Sequence, residues 1–393
     1  MIAAHQRPYL AFFLLAIATG AFMARIPDLQ TRLAVNKAEL GMTLIGLAIG
    51  SLISLSASAP IIARLGSKRT FSIAIPAIGL LLALTPVLPG AGAVFGCLFL
   101  TGLFTGTLEL ALNIEIGRIE AQKGVSIMNR SHGFWSVGFF VTAVTASFIR
   151  QAEIPMTTHM IVMATIVVLL SLVVVNGMEN ATIPKVVEEQ KAPLIAFPTL
   201  SLMPLCIIGI SACLVEGAGL DWSAIYMRDV FKSEPFIGGS GLTLFAFFMA
   251  LARVTIDPVV DRFGARVVAQ TLLTIAAIGL AIVWLSPHEY AALAGFAMMG
   301  GGCSAVYPMA LSAAAQRTDR ASAVNVAAVG QMAFVVFFLA PPLLGFVAEA
   351  WGMRMLYAIC LPLILVAIFA SGALNVRRAA KPAISAVSHE TAL

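Results

Sequence analysis

Apolar segments of about twenty residues recur from one end of this chain to the other, separated by short polar breaks. A helix needs about 20 mostly apolar residues to cross a bilayer. The segments fall at roughly 8–27, 38–63, 70–88, 91–117, 128–150, 157–177, 201–227, 236–259, 267–286, 290–313, 323–347 and 354–375. Twelve such runs leave little chain for anything else. Only 11% of the 393 residues are charged, where a soluble domain carries about 25%. The sequence therefore predicts an all-α membrane protein of about twelve transmembrane helices. The N-terminal run passes without interruption through Ala16-Ile17-Ala18 to Ala24, so it reads as a retained first span and not a cleaved leader.

The spans divide into two sets of six. Residues 1–178 form the first half and 201–376 the second. Between them, 179–200 is polar and proline-bearing, with Lys185, Glu188, Glu189 and Lys191. Residues 377–393 form a tail with Arg377, Arg378 and Lys381. Lysine and arginine accumulate on the cytoplasmic side of a membrane. Placing both termini in the cytoplasm puts Arg7, Arg64, Lys68, Arg69, Arg118, Lys123, Arg262, Arg266, Arg317 and Arg320 there, against fewer basic residues outside. The net charge of +5 is spread over many loops, so it marks topology and excludes a nucleic-acid face. Five cysteines, all within apolar runs, have no metal-site spacing and read as small core residues.

The halves echo each other. Arg64-Leu65-Gly66-Ser67-Lys68-Arg69 follows the second span and Arg262-Phe263-Gly264-Ala265-Arg266 the eighth, 198 positions on. Ser126-Ile127-Met128-Asn129 opens the fifth span and Ser322-Ala323-Val324-Asn325 the eleventh, 196 positions on. Internal repeats of this kind build many transporters.

These residues resemble the major facilitator superfamily along essentially the whole chain. Its loop motif, roughly Gly-x-x-x-Asp-Arg-x-Gly-Arg-Arg, is matched by Asp261, Arg262 and Gly264. The first copy keeps Arg64, Gly66 and Arg69 but has Ala63 in place of the acid. The resemblance implies a gating role for this set. Glu109-Leu110-Ala111-Leu112-Asn113, the stretch Met128 to Gly138, and Glu216 to Ser223 resemble the fucose permease branch, including bacterial relatives such as the rhizopine permease. That likeness implies alternating access, proton symport and a sugar, cyclitol or amino-cyclitol as substrate. It also implies a monomer in a bacterial inner membrane with no cofactor.

An ionisable side chain at membrane depth costs about 2.5–3.5 kcal/mol on insertion scales, so such groups mark candidate sites. They are Glu109, Glu115, His132, Glu216, Asp221, Arg253 and Asp257. Glu109 and Asp221 are the candidate proton carriers. Asn113 shares a face with Glu109 one turn along. Glu216 and Asp221, five residues apart, diverge by about 140° on a helix, and converge only if Gly217 and Gly219 break it. His132, Trp135 and Trp222 could meet a substrate ring, and Tyr307, Asn325 and Gln331 could line the same cavity. Arg253 and Asp257, spaced i, i+4, either pair with each other or Arg253 serves an acid elsewhere. Arg25 and Asp28 read as a snorkelling side chain and a helix-end cap. Gly300-Gly301-Gly302 and Gly102 to Gly106 suit close packing, whether sliding or static. No ATP-binding loop or hydrolase motif occurs. The alternatives are a multidrug or metabolite exporter of the same fold, an intramembrane enzyme, and a structural or sensory membrane protein.

Overall fold

The computed structural model describes residues 3, 6–123, 127–178 and 196–375. Most of the inter-half linker and the C-terminal tail lie outside the described residues. The first half contains α1 (Arg7–Ala24), α2 (Ile26–Leu33), α3 (Lys37–Ala57), α4 (Ala59–Leu65), α5 (Ser67–Leu84), α6 (Ala91–Lys123), α7 (Met128–Gln151) and α8 (Met156–Val175). The second contains α9 (Met203–Phe231), α10 (Pro235–Thr255), α11 (Asp257–Phe263), α12 (Ala265–Leu285), α13 (Glu289–Cys303), α14 (Val306–Ala315), α15 (Ser322–Trp351), α16 (Met353–Ala358) and α17 (Cys360–Ala370). Eleven helices among the described residues are long and apolar enough to cross a membrane. The tenth predicted span is the exception, because it is split into α13 and α14.

Proline explains where spans break. It has no N–H for the carbonyl four residues back, and its ring crowds that carbonyl. The breaks at Arg25, Ser58, Ile256, Ser304–Ala305 and Ile359 each fall two to four residues before Pro27, Pro60, Pro258, Pro308 or Pro362. Pro76, Pro341 and Pro342 are instead absorbed within α5 and α15. The loops after α4 and α11 repeat in backbone as well as in sequence. Gly66 (φ 78°) and Gly264 (φ 83°) end those two short helices in a region that favours glycine.

Close helix contacts rest on glycine. A Cβ on Gly50 or Gly102 would overlap the Phe99 or Leu47 carbonyl, so α3 and α6 meet backbone to backbone. Gly300 packs on the Phe245 carbonyl of α10, and Gly302 on the backbone of α12. Those glycines therefore let neighbouring helices pack backbone to backbone. The five cysteines are free and buried, as their apolar settings implied.

The halves meet where α3 faces α15, α7 faces α10 and α2 faces α9. A series of polar ties joins them at the predicted outer end. Arg228 donates to the Pro27 carbonyl at 2.9 Å and to Gln30 Oε1 at 2.6 Å. Lys37 Nζ pairs with Asp229 at 3.1 Å, and its backbone N–H donates to Glu349 at 3.0 Å. The Phe236 N–H donates to Gln151 at 3.0 Å.

Candidate functional site

The fourth span supplies the first polar pair. Glu109 is half-buried in the unbroken helix α6 and bonds to none of the described residues. Asn113, one turn on, keeps its side-chain oxygen buried without a partner among the described residues. Two acceptors thus stand on one helix face with nothing to accept from. An unmet buried acceptor costs about 1–3 kcal/mol, so the place invites a donor-bearing guest.

The second half supplies the facing wall. Tyr307 begins at the break in the tenth span, with its ring against Gly209 of α9 and its hydroxyl near Gly330 of α15. It lies within electrostatic reach of both Glu109 and Glu216. Glu216 on α9 receives Arg253 Nη2 at 3.3 and 3.4 Å. Arg253 in turn lies within electrostatic range of His132 on α7, whose ring centroid lies 4.6 Å from that of Phe12. Trp135 is half-buried and stacks on Phe139. Groups of the two halves thus come within electrostatic range of each other, Glu109 of Tyr307 and His132 of Arg253. A cavity of about 200 Å³ lies nearby between α3 and α15, lined by Leu52, Leu55, Ala327, Gly330, Gln331 and Phe334.

Other candidates are placed elsewhere. Helix α9 runs without a break through Gly217 and Gly219. Asp221 therefore diverges from Glu216 by about 140° and lies within electrostatic range of Tyr357 of α16. Trp222 is fully buried against Gly345 of α15 and packs the core. Asn325 is fully buried in a loop network, donating to Asp319 and accepting from Arg320. Gln331 lines the α3–α15 cavity, yet its side-chain oxygen accepts from the Ala196 N–H at 2.7 Å. Arg253 does not pair with Asp257. Pro258 breaks the helix between them, Asp257 is exposed, and Arg253 reaches Glu216 instead. Glu115 is a structural anchor, accepting from Ser67 and bridging to Arg118 at 2.6 Å. Arg64, Arg69, Asp261 and Arg262 are exposed on the helix ends that flank the turns at Gly66 and Gly264, with Arg262 over the Phe263 ring.

A family model described as Major Facilitator Superfamily matches residues 205–391. An uncharacterized transporter of Sinorhizobium fredii, y4wD, is 31% identical over 356 residues, covering 88% of this chain and 92% of its own. The chain belongs to the major facilitator superfamily. It is a multi-pass membrane transporter and not an enzyme. Among solved structures, the nucleoside transporter NupG superposes with a TM-score of 0.73 at 14% identity, covering 95% of this chain and 99% of that one. FucP in its outward conformation gives 0.62 at 14% identity, over 95% and 99%. Those likenesses show the fold.

Three polar arrangements of this superfamily member escape a reading of sequence. Arg25 does not snorkel. It is 3% exposed and donates to His159 at 3.1 Å, to the Ile154 carbonyl at 2.7 Å and to Asp28 at 2.7 Å. Arg150 joins Asp28 from α7. Asp28 is therefore not simply a cap, and the Arg25–Asp28 pair is a junction of three spans. Arg228 is the second case, reaching the opposite half from the end of α9. The third is the Arg317–Asp319–Asn325 cluster, where bonds from Arg317 and Asn325 hold the Asp319 carboxyl well below the usual carboxylate range. Charge spacing gives no sign of the first two, since apart from the Arg25–Asp28 pair the partners lie more than a hundred positions apart. Proline positions do signal the helix breaks.

Proposed function

We propose that this chain is a secondary active transporter that moves a small polar solute by alternating access between its halves, with Glu109 carrying a coupled proton. The observation that supports this most is Glu109 itself, a carboxyl within the fourth span with no bonded partner among the described residues, within electrostatic range of Tyr307 in the opposite half. A carboxyl so placed can receive a proton while the cavity faces one side and release it to the other. The unmet Asn113 oxygen and the Glu109 carboxylate offer acceptors to a hydroxyl or ammonium group, while Trp135 offers a ring face. A sugar, a cyclitol or an amino-cyclitol such as a rhizopine has both features. We place the protein as a monomer in a bacterial inner membrane with both termini cytoplasmic, the first six spans ending near 178 and the last six beginning near 201.

The test is uptake into proteoliposomes under an imposed proton gradient, paired with thermal unfolding in the presence of cyclitols, amino-cyclitols, neutral sugars and lipophilic cations. A true ligand at 100 times its Kd stabilises by about 2.7 kcal/mol. Glu109→Gln should abolish gradient-driven accumulation while leaving solute exchange. Gradient-driven accumulation in that variant at the wild-type level would refute the proton role. The apolar lining of the cavity between α3 and α15 favours a second reading, an exporter of lipophilic cations. Stabilisation by such cations alone would select it.

A further inference from the structure

The tenth span contains an unusual substitution of one donor for another. Pro308 has no N–H, so the Ser304 carbonyl four residues earlier cannot receive its helical bond. The helix stops at Cys303 and restarts at Val306. The Ser304 carbonyl is nevertheless satisfied, because Arg253 Nε donates to it from α10 at 3.0 Å. The same guanidinium extends Nη2 to Glu216 on α9 at 3.3 and 3.4 Å. Arg253 Nη1 bonds to none of the described residues. One side chain therefore stands in for a missing backbone donor while anchored by an acid at the candidate site.

The two sides of this break are held differently. On α13, Gly300 and Gly302 press backbone against α10 and α12, and Gly295 does the same with Gly279 of α12. Contacts of that kind leave no slack. Helix α14 contains no glycine and packs through Val306, Met309, Ala310 and Ala313. It also carries Tyr307, which lies within electrostatic range of Glu109 and Glu216. A fixed segment and a side-chain-packed segment meet at a carbonyl that only Arg253 caps among the described residues.

We propose that Arg253 is a positioning residue that couples occupancy of the site to a hinge at Ser304–Ala305. While Glu216 holds the guanidinium, Arg253 caps the Ser304 carbonyl and α14 stays aligned with α13. A solute whose ammonium group draws Glu216 away removes the anchor. The cap is then lost, and α14 swings with Tyr307. This inference rests on the transport reading for its purpose, but the hinge itself can be measured without any solute.

Spin labels at Tyr290 and Gln316, both exposed and at opposite ends of the tenth span, report its bend by double electron–electron resonance. The five native cysteines are buried, so the labels go where they are directed. In solute-free protein in lipid nanodiscs, wild type should give one narrow distance distribution. Arg253→Lys keeps the charge but cannot reach both partners with one planar fork, and Glu216→Gln weakens the anchor. Each should raise a second, bent population roughly tenfold, as expected for loss of one charge-assisted hydrogen bond. Adding Pro308→Ala to Arg253→Lys restores an N–H to the Ser304 carbonyl and should return the narrow distribution. An unchanged distribution in either single variant overturns the coupling, and so does a double variant that stays bent. Failure of uptake with this pattern intact would instead count against the transport reading alone.

Discussion

Replacing Arg228 with alanine should loosen the predicted outer end. This side chain leaves α9, donates to the Pro27 carbonyl at 2.9 Å and Gln30 Oε1 at 2.6 Å, and touches Thr31 at 3.3 Å. All three partners belong to the other half. Hydrogen bonds from a charged donor are worth about 1.5–3 kcal/mol when buried. Arg228 is 31% exposed, so water competes, and each strong bond drops to about 0.5–1 kcal/mol. Two such bonds give about 1–2 kcal/mol, or roughly a 5- to 30-fold rise in the population open at this end. Lys37–Asp229 and Phe236–Gln151 remain, so the end should loosen without falling apart. Spin labels at the exposed residues Ala34 and Glu234 would report the separation. A longer-distance population growing by that factor in Arg228→Ala is the expected result. An unchanged distribution would refute the reasoning, because it would mean that Arg228 contributes nothing to closure.

Packing and loop electrostatics give two further tests. Gly102→Ala drives a methyl into the Leu47 carbonyl and should cost about 1–3 kcal/mol. Gly92→Ala, with nothing within 4 Å, should change stability by less than about 0.5 kcal/mol. Thermal unfolding in detergent compares them directly. The Asp319 carboxyl is held below its unfolded value of about 3.9. Its stabilising effect is therefore fully present above that value and fades as pH falls toward the folded pKa. Asp319→Asn should lower the melting temperature by a constant amount between about pH 5 and 8 and by progressively less below pH 4. A difference that grows on acidification would contradict this.

Much of the architecture could be read from the chain, for a simple reason. A bilayer demands long apolar runs with all backbone bonds satisfied locally, so each span declares itself without reference to its neighbours. Glu109 declared itself in the same way, as a charge where charge is costly. What stayed hidden depends on how spans meet. Arg253 has an acid four residues away in Asp257, yet it serves Glu216 on another helix. The local pairing fails because Pro258 rotates Asp257 out of register, and that proline was visible. Trp222 and Asp221 sit beside Glu216 in sequence but face other helices, because α9 stays straight where two glycines would allow a break.

The buried junction around Arg25 has a consequence for how the chain is made. Arg25 and Asp28 emerge in the first span, whereas Arg150, Ile154 and His159 follow 122 to 134 positions later than the partners they meet. During synthesis the young first span must enter the bilayer with only Asp28, three residues on, to offset its guanidinium. A lone arginine in hydrocarbon is costly to insert, so Asp28 acts first as a chaperone for a single charge and only later as a bridge to Arg150. The first half is thus closed at this end by its fifth and sixth spans, and a nascent chain halted before them carries an unfinished polar knot in its earliest helix.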